Sequence, residues 1–169
     1  MIVVKVGGSL YDHPNLGPRL RAFVAELAPA PVLLVPGGGA VADAVRELDR
    51  THGLGEEAAH WLALRSLSVT AAFLGALSGP TPPAPPSLKG RGEKEPAESD
   101  RELGAQEASR ECSPLPFREG GPGGVGVLDC FAFAQEDERR PGALPHTWSV
   151  TTDSIAARAA AVFGAERLV

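Results

Sequence analysis

Three short segments carry residue types suited to holding an anion. Lys5 stands two residues before Gly7-Gly8-Ser9, Gly37-Gly38-Gly39 follows Val35-Pro36, and Thr151-Thr152-Asp153-Ser154 precedes an alanine-rich run. Glycine opens backbone conformations closed to other residues and lets N–H groups approach an anion, and a following helix N-terminus adds partial positive charge. Phosphate or carboxylate is the natural guest. Lys5 interrupts an otherwise apolar strand, so its ammonium must reach the strand's end or a partner, and facing a phosphoryl group it would stabilise charge during transfer. Each segment alone has a plainer use: a glycine pair marks a turn, a strand lysine is a solvated edge residue, and Thr151 to Ser154 cap a helix. Their occurrence together argues for the chemical use.

The surrounding elements follow from periodicity and punctuation. Ile2-Val3-Val4-Lys5-Val6 and Val32-Leu33-Leu34-Val35 are short apolar runs ended by glycine loops, which reads as buried strands. Helical spacing joins Leu16, Leu20, Phe23, Val24 and Leu27, with Pro29 and Pro31 beyond. Helices are expected again over Ala40–Leu48, over Glu56–Leu77 after the turn His52-Gly53-Leu54-Gly55, and over Ile155–Phe163 with Gly164 at its end. Val125 to Asp129 reads as a strand followed by a short apolar segment through Phe133, and Arg167-Leu168-Val169 as the start of another strand. Alternation of this kind predicts a mostly parallel sheet with helices on both faces, where ligands bind at the carboxyl ends of the strands. The three anion-suited segments fall at such ends.

Residues 79–124 break the pattern. This stretch is rich in Pro, Gly and charge with almost no periodic apolar positions, and it is expected to be a disordered insert dividing the domain into 1–78 and 125–169. The chain of 169 residues suffices for one domain with a core. Its net charge of −5 argues against a broad basic face for nucleic acid. Cys112 and Cys130 lack neighbours at zinc-ligand spacing, so free thiols and no metal site are expected. Without a signal peptide or an uninterrupted apolar run of ~18 residues, the expected location is the cytoplasm, with no membrane partner.

Gly37-Gly38-Gly39-Ala40-Val41-Ala42 also matches the dinucleotide-binding pattern GxGxxA, but that motif needs a strand soon after its helix, ending in an acidic residue, whereas a second helix is expected from Glu56. No Gly-Lys-Ser/Thr phosphate loop occurs. Taken in order, Lys5-Val6-Gly7-Gly8-Ser9-Leu10, Val35-Pro36-Gly37-Gly38-Gly39 and Thr151-Thr152-Asp153-Ser154-Ile155-Ala156-Ala157 resemble the amino acid kinase superfamily, which includes aspartate, acetylglutamate and uridylate kinases. Trp148 to Ala157 looks nearest to its furan-methyl-phosphate kinase-like branch, although the Thr-Thr-Asp core is also similar to uridylate kinase, and the acceptor stays open.

The resemblance implies a three-layer αβα sandwich and phosphoryl transfer from ATP with Mg2+ to a small acidic or phosphorylated metabolite. Carried over by position, Lys5 would contact the transferring phosphate, Gly7, Gly8 and Ser9 would line the phosphate loop, and Asp153 would orient Lys5. Gly37, Gly38 and Gly39 would hold the acceptor through backbone N–H groups, with Thr152 or Ser154 touching it. The family's C-terminal part, with a second lysine and adenine-binding loops, has no counterpart up to Val169, so a truncated and inactive kinase is expected as well as an active one. A homo-oligomer is left open. The alternatives are a non-catalytic small-ligand-binding module and, ranked lower, a dinucleotide-binding oxidoreductase.

Overall fold

The computed structural model describes residues 1–79 and 124–169. The expected insert over 79–124, with Cys112, lies outside the described residues apart from its two end residues. Four strands form one sheet in the order β3-β2-β1-β4: β1 (Ile2–Val6), β2 (Val32–Pro36), β3 (Val125–Val127) and β4 (Arg167–Leu168). All three pairings are parallel, with Val3 opposite Leu33 and Leu168, and Leu33 opposite Gly126. Val169 prolongs the β1 ladder, since its N–H donates to Val3 O and its carbonyl accepts from Lys5 N.

Side chains alternate across a strand, and both faces of this sheet are covered. Val3, Leu33 and Val35 point to one layer, where they pack with Leu128, Phe133, Ile155, Ala156 and Ala159. Ile2, Val4, Val6, Val32 and Leu34 point to the other, against Leu20, Phe23 and Val24. Full coverage accounts for the continuous apolar character of β1 and β2. The helices are α1 (Leu16–Glu26), α2 (Gly39–His52), α3 (Glu56–Ser78), α4 (Cys130–Asp137) and α5 (Thr152–Val162). α1 covers one face, and α4 with α5 the other. α3 contributes to both layers, Leu64 and Leu67 entering the first and Leu74 the second.

Several features differ from the sequence expectation, and α5 begins at Thr152 rather than Ile155. α2 runs four residues past Leu48, because its polar last turn is closed by Gly53, whose left-handed φ of 62° lets its N–H reach Asp49 O at 2.7 Å. The strand expected to reach Asp129 stops at Val127. Asp129 instead caps α4, its Oδ1 accepting from Phe131 N, Ala132 N and the Ser68 hydroxyl. The Cys130 thiol lies buried at the start of that helix, and burial pushes its pKa far up. Finally, α3 is by length and composition apolar enough to cross a membrane. No single uninterrupted run signals this, since Arg65 and scattered Ser and Thr divide its sequence. Leu64, Leu67 and Leu74 bury one side of it against the sheet.

Candidate functional site

The two glycine loops meet backbone to backbone at the carboxyl ends of β1 and β2. β1 runs into Gly7 and a single 3-10 turn, Gly8–Leu10, and β2 runs into Gly37. A Cβ added at Gly8 would collide with the backbone N and Cα of Gly39, and one at Gly37 with Gly8 N and with Val6 O. Gly37 N donates to Val6 O at 2.8 Å, which ties the loops together. Only glycine fits an approach this close. Gly39 has a φ of 54° and packs on the Tyr11 ring, whose hydroxyl donates to Gly37 O at 2.9 Å. Burial raises the Tyr11 pKa, against smaller opposing effects from its hydrogen bonds to Thr70 and Gly37, so the phenol stays a donor.

Lys5 points from β1 into the layer of α5, and its Nζ lies 2.9 Å from Asp153 Oδ1. Asp153 sits in the first turn of α5, where the helix dipole favours a carboxylate. Its side chain is 69 % exposed and that of Lys5 26 %, so the pair is a solvent-facing charge centre rather than a sealed core bridge. The structure thus brings Lys5, Gly7, Gly8, Gly37 and Asp153 to one end of the sheet. Thr151 is the residue before α5, but its side chain makes no capping hydrogen bond, and the helix begins at Thr152. Thr151 thus stands at the cap position that the plainer reading gives it, without a side-chain bond to the helix.

Beside this centre lies a cleft of about 130 Å³ between the N-terminus of α2, the first half of α3 and residues 147–155. Gly38, Gly39 and Thr152 line it, whereas Gly37 and Ser154 do not: Gly37 is buried against the first loop. Three side chains without an assigned role in the sequence reading complete the walls: Arg46, His60 and Trp148. Arg46 lies over the Trp148 ring at 5.4 Å and also pairs with Asp43 at 2.7 Å. Trp148 Nε1 donates to Asp49 Oδ2 at 2.8 Å. His60 is buried, and burial first, then the neighbouring His146, pushes its pKa down, which keeps its imidazole neutral. Arg46 and His60 fall on ordinary helical positions, so spacing carried no signal for them; Trp148 opens the string that resembles one branch of the kinase superfamily.

Paired glycine loops, a lysine and a carboxylate at the carboxyl edge of a parallel sheet covered on both faces place the chain among the three-layer α/β proteins. Comparison with known proteins narrows this class. The amino acid kinase family matches residues 1–101, and the chain belongs to that family. It is also 33% identical over 70 residues to "[5-(aminomethyl)furan-3-yl]methyl phosphate kinase" of Methanocaldococcus jannaschii, an alignment that covers 41% of this chain and 32% of the relative. The chain therefore spans about a third of the length of that curated relative. The family match ends before Asp153, and the 2.9 Å contact is what the structure adds to the pairing of Asp153 with Lys5 that the resemblance implies.

Proposed function

We propose that the chain binds the phosphate groups of ATP at the paired glycine loops and takes part in phosphoryl transfer to a small acidic or phosphorylated acceptor. The observation that carries this reading is the Lys5–Asp153 ion pair beside the loop contact. The Lys5 ammonium supplies positive charge where negative charge shifts during transfer, and the Asp153 carboxylate holds the ammonium in one orientation. Gly7, Gly8 and Ser9 offer backbone donors to the phosphates. The N-terminus of the 14-residue α2 faces the cleft through Gly38 and Gly39, with Thr152 at its side, and suits an anionic acceptor.

The residues present fit a nucleotide triphosphate at the point of transfer, since the cradle excludes side chains and a cation stands at its rim. ATP, when bound, supplies the group to be transferred. Among the described residues no cluster of three or more His, Cys, Asp or Glu is placed to hold a metal. Mg2+ would be carried by the phosphates, its commonest mode of binding in kinases, and Asp153 would be the carboxylate to help hold it.

A second reading, a ligand-binding module without transfer, draws on the cleft being formed wholly by described residues. Calorimetric titration of the purified chain with Mg-ATP separates the two. The kinase reading predicts saturable binding that Lys5→Ala weakens roughly tenfold to a hundredfold, the loss of one charged contact worth about 1.5–3 kcal/mol. Absence of binding by a folded chain refutes it and leaves the module. The dinucleotide alternative gains no support: Asp129, the acidic residue beyond β3, is committed to capping α4.

A further inference from the structure

The cleft of about 130 Å³ runs along one side of α2. Gly38, Gly39 and Ala42 line it near the start of that helix, and Arg46, one turn beyond Ala42, lines its far end. The helix rises about 10 Å from Gly39 to Arg46. Helical side chains lean toward the N-terminus of their helix, and Arg46 does so here, its Nη1 donating to Asp43 Oδ1 at 2.7 Å. That lean leaves a guest roughly 5–7 Å between the glycine amides and the guanidinium. The floor between the two ends is apolar, with Leu64 and Leu67 from α3 and Val150 and Ile155 from the chain entering α5.

Arg46 is the charged residue of this lining, which holds no carboxylate. His60, buried in the same wall, has its pKa lowered first by that burial and adds no positive charge. The guanidinium is seated: its carbon lies 5.4 Å from the centre of the Trp148 ring, and Trp148 is itself fixed by the bond from Nε1 to Asp49 Oδ2 at 2.8 Å. Asp43 engages Nη1 in a pair exposed on both sides, which does little to offset the charge. Among the described residues the Nε–Nη2 edge has no acceptor, and such an edge presents two parallel N–H groups that match an oxyanion. We propose that Arg46 is a specificity-determining residue that contacts a second oxyanion of the acceptor, remote from the one at the Gly38 and Gly39 amides, so that the cleft selects a short acceptor with an apolar middle and an anionic group at each end. The inference rests on the reading of the cleft as the acceptor site and adds the residue that distinguishes one acceptor from another.

The test uses the ¹⁵N-labelled full chain without nucleotide, titrated at physiological salt with glutarate and with pentanoate, five-carbon chains carrying two carboxylates and one. The Gly38 and Gly39 amides report the near end of the cleft. The Trp148 indole N–H reports the far end, with Trp61→Phe assigning it, since the chain has two tryptophans. Glutarate is expected to bind roughly tenfold tighter than pentanoate, through one charge-assisted contact at a partly exposed residue. Arg46→Gln keeps a good helix former and removes the charge; it is expected to lower glutarate to the affinity of pentanoate and to leave pentanoate unchanged. Arg46→Lys, which keeps the charge without the fork, should retain part of the preference. Equal affinities in the wild type, or a preference that survives Arg46→Gln, overturn the assignment. So does an equal loss of both probes in Arg46→Gln, which would make Arg46 a prop for Trp148 alone. Shifts at neither Gly38 nor Gly39 with either probe overturn it together with the acceptor reading of the cleft, whereas Mg-ATP binding at Gly7, Gly8 and Ser9 is measured apart and is untouched by any of these results.

Discussion

Replacing Gly37 with Ala puts the backbone contact at the centre of the site under direct strain. The new Cβ would lie 2.8 Å from Val6 O and 3.0 Å from Gly7 C, with Gly8 N closer still. All three are main-chain atoms that cannot swing aside. Overpacking of a tight interior costs about 1–3 kcal/mol. Parting the loops also sacrifices the 2.8 Å bond from Gly37 N to Val6 O, worth about 1 kcal/mol net. Together the change is expected to cost about 2–4 kcal/mol, or a fall in Tm of roughly 8–15 °C for a domain of this size. Gly75→Ala is the matched control: it lies inside α3, and its Cβ would meet nothing within 4 Å. There the lower entropy of the unfolded chain and better helix propensity should raise stability by about 0.5–1 kcal/mol. Thermal and urea unfolding followed by far-UV circular dichroism read both variants. Opposite signs are expected; Gly37→Ala with wild-type stability would show that the loops do not touch and would remove the physical basis for the cradle.

Two further expectations concern the layer of α4 and the walls of the cleft. Asp129→Ala removes the acceptor of two α4 backbone N–H groups and of the Ser68 hydroxyl, and should lower the urea midpoint by the equivalent of about 1–2 kcal/mol, whereas Asp129→Asn should recover most of it; equal stability of the Ala variant would deny the cap. Acid should destabilise the fold through His60 and Glu57, whose folded pKa values are both lowered. For each, the unfolded chain binds the proton more readily, so the stabilisation is full above the unfolded pKa, about 6.5 for His and 4.3 for Glu, and is lost as pH falls through the lowered folded value. The urea midpoint should therefore fall less between pH 7.5 and 5.5 in His60→Asn than in the wild type, and identical slopes would contradict the burial assigned to His60.

The strands and the glycine loops were legible because their signals are local. β-branched runs ended by glycines need no knowledge of distant residues, and amphipathic spacing marked α1 and α3 to within a residue or so. α4 was not legible: at eight residues it shows barely two helical turns, and Asp129 reads equally well as the end of a strand or as a helix cap. Its bonds from Phe131 N and Ala132 N, joined by one from Ser68, 61 positions away, decide in the structure. The end of α2 was hidden for a similar reason, its last turn being polar and closed by a left-handed glycine. The walls of the cleft depend on contacts between remote segments, Trp148 with Asp49 and His146 with Glu57, and no periodicity encodes such pairs. The family likeness identified Lys5 and Asp153 as partners, and the geometry sets them 2.9 Å apart. Phosphoryl transfer through them stands as a proposal.

The central claim is that the paired glycine loops and Lys5 form a phosphate site. An amide chemical-shift map of the ¹⁵N-labelled chain titrated with Mg-ATP tests it most directly. The account predicts saturable shifts at Gly7, Gly8 and Ser9, with smaller ones at Gly38 and Gly39, all suppressed in Lys5→Ala. Shifts centred elsewhere, such as on the exposed side of α3 around Leu62 and Val69, or a map unchanged by Lys5→Ala, would contradict it.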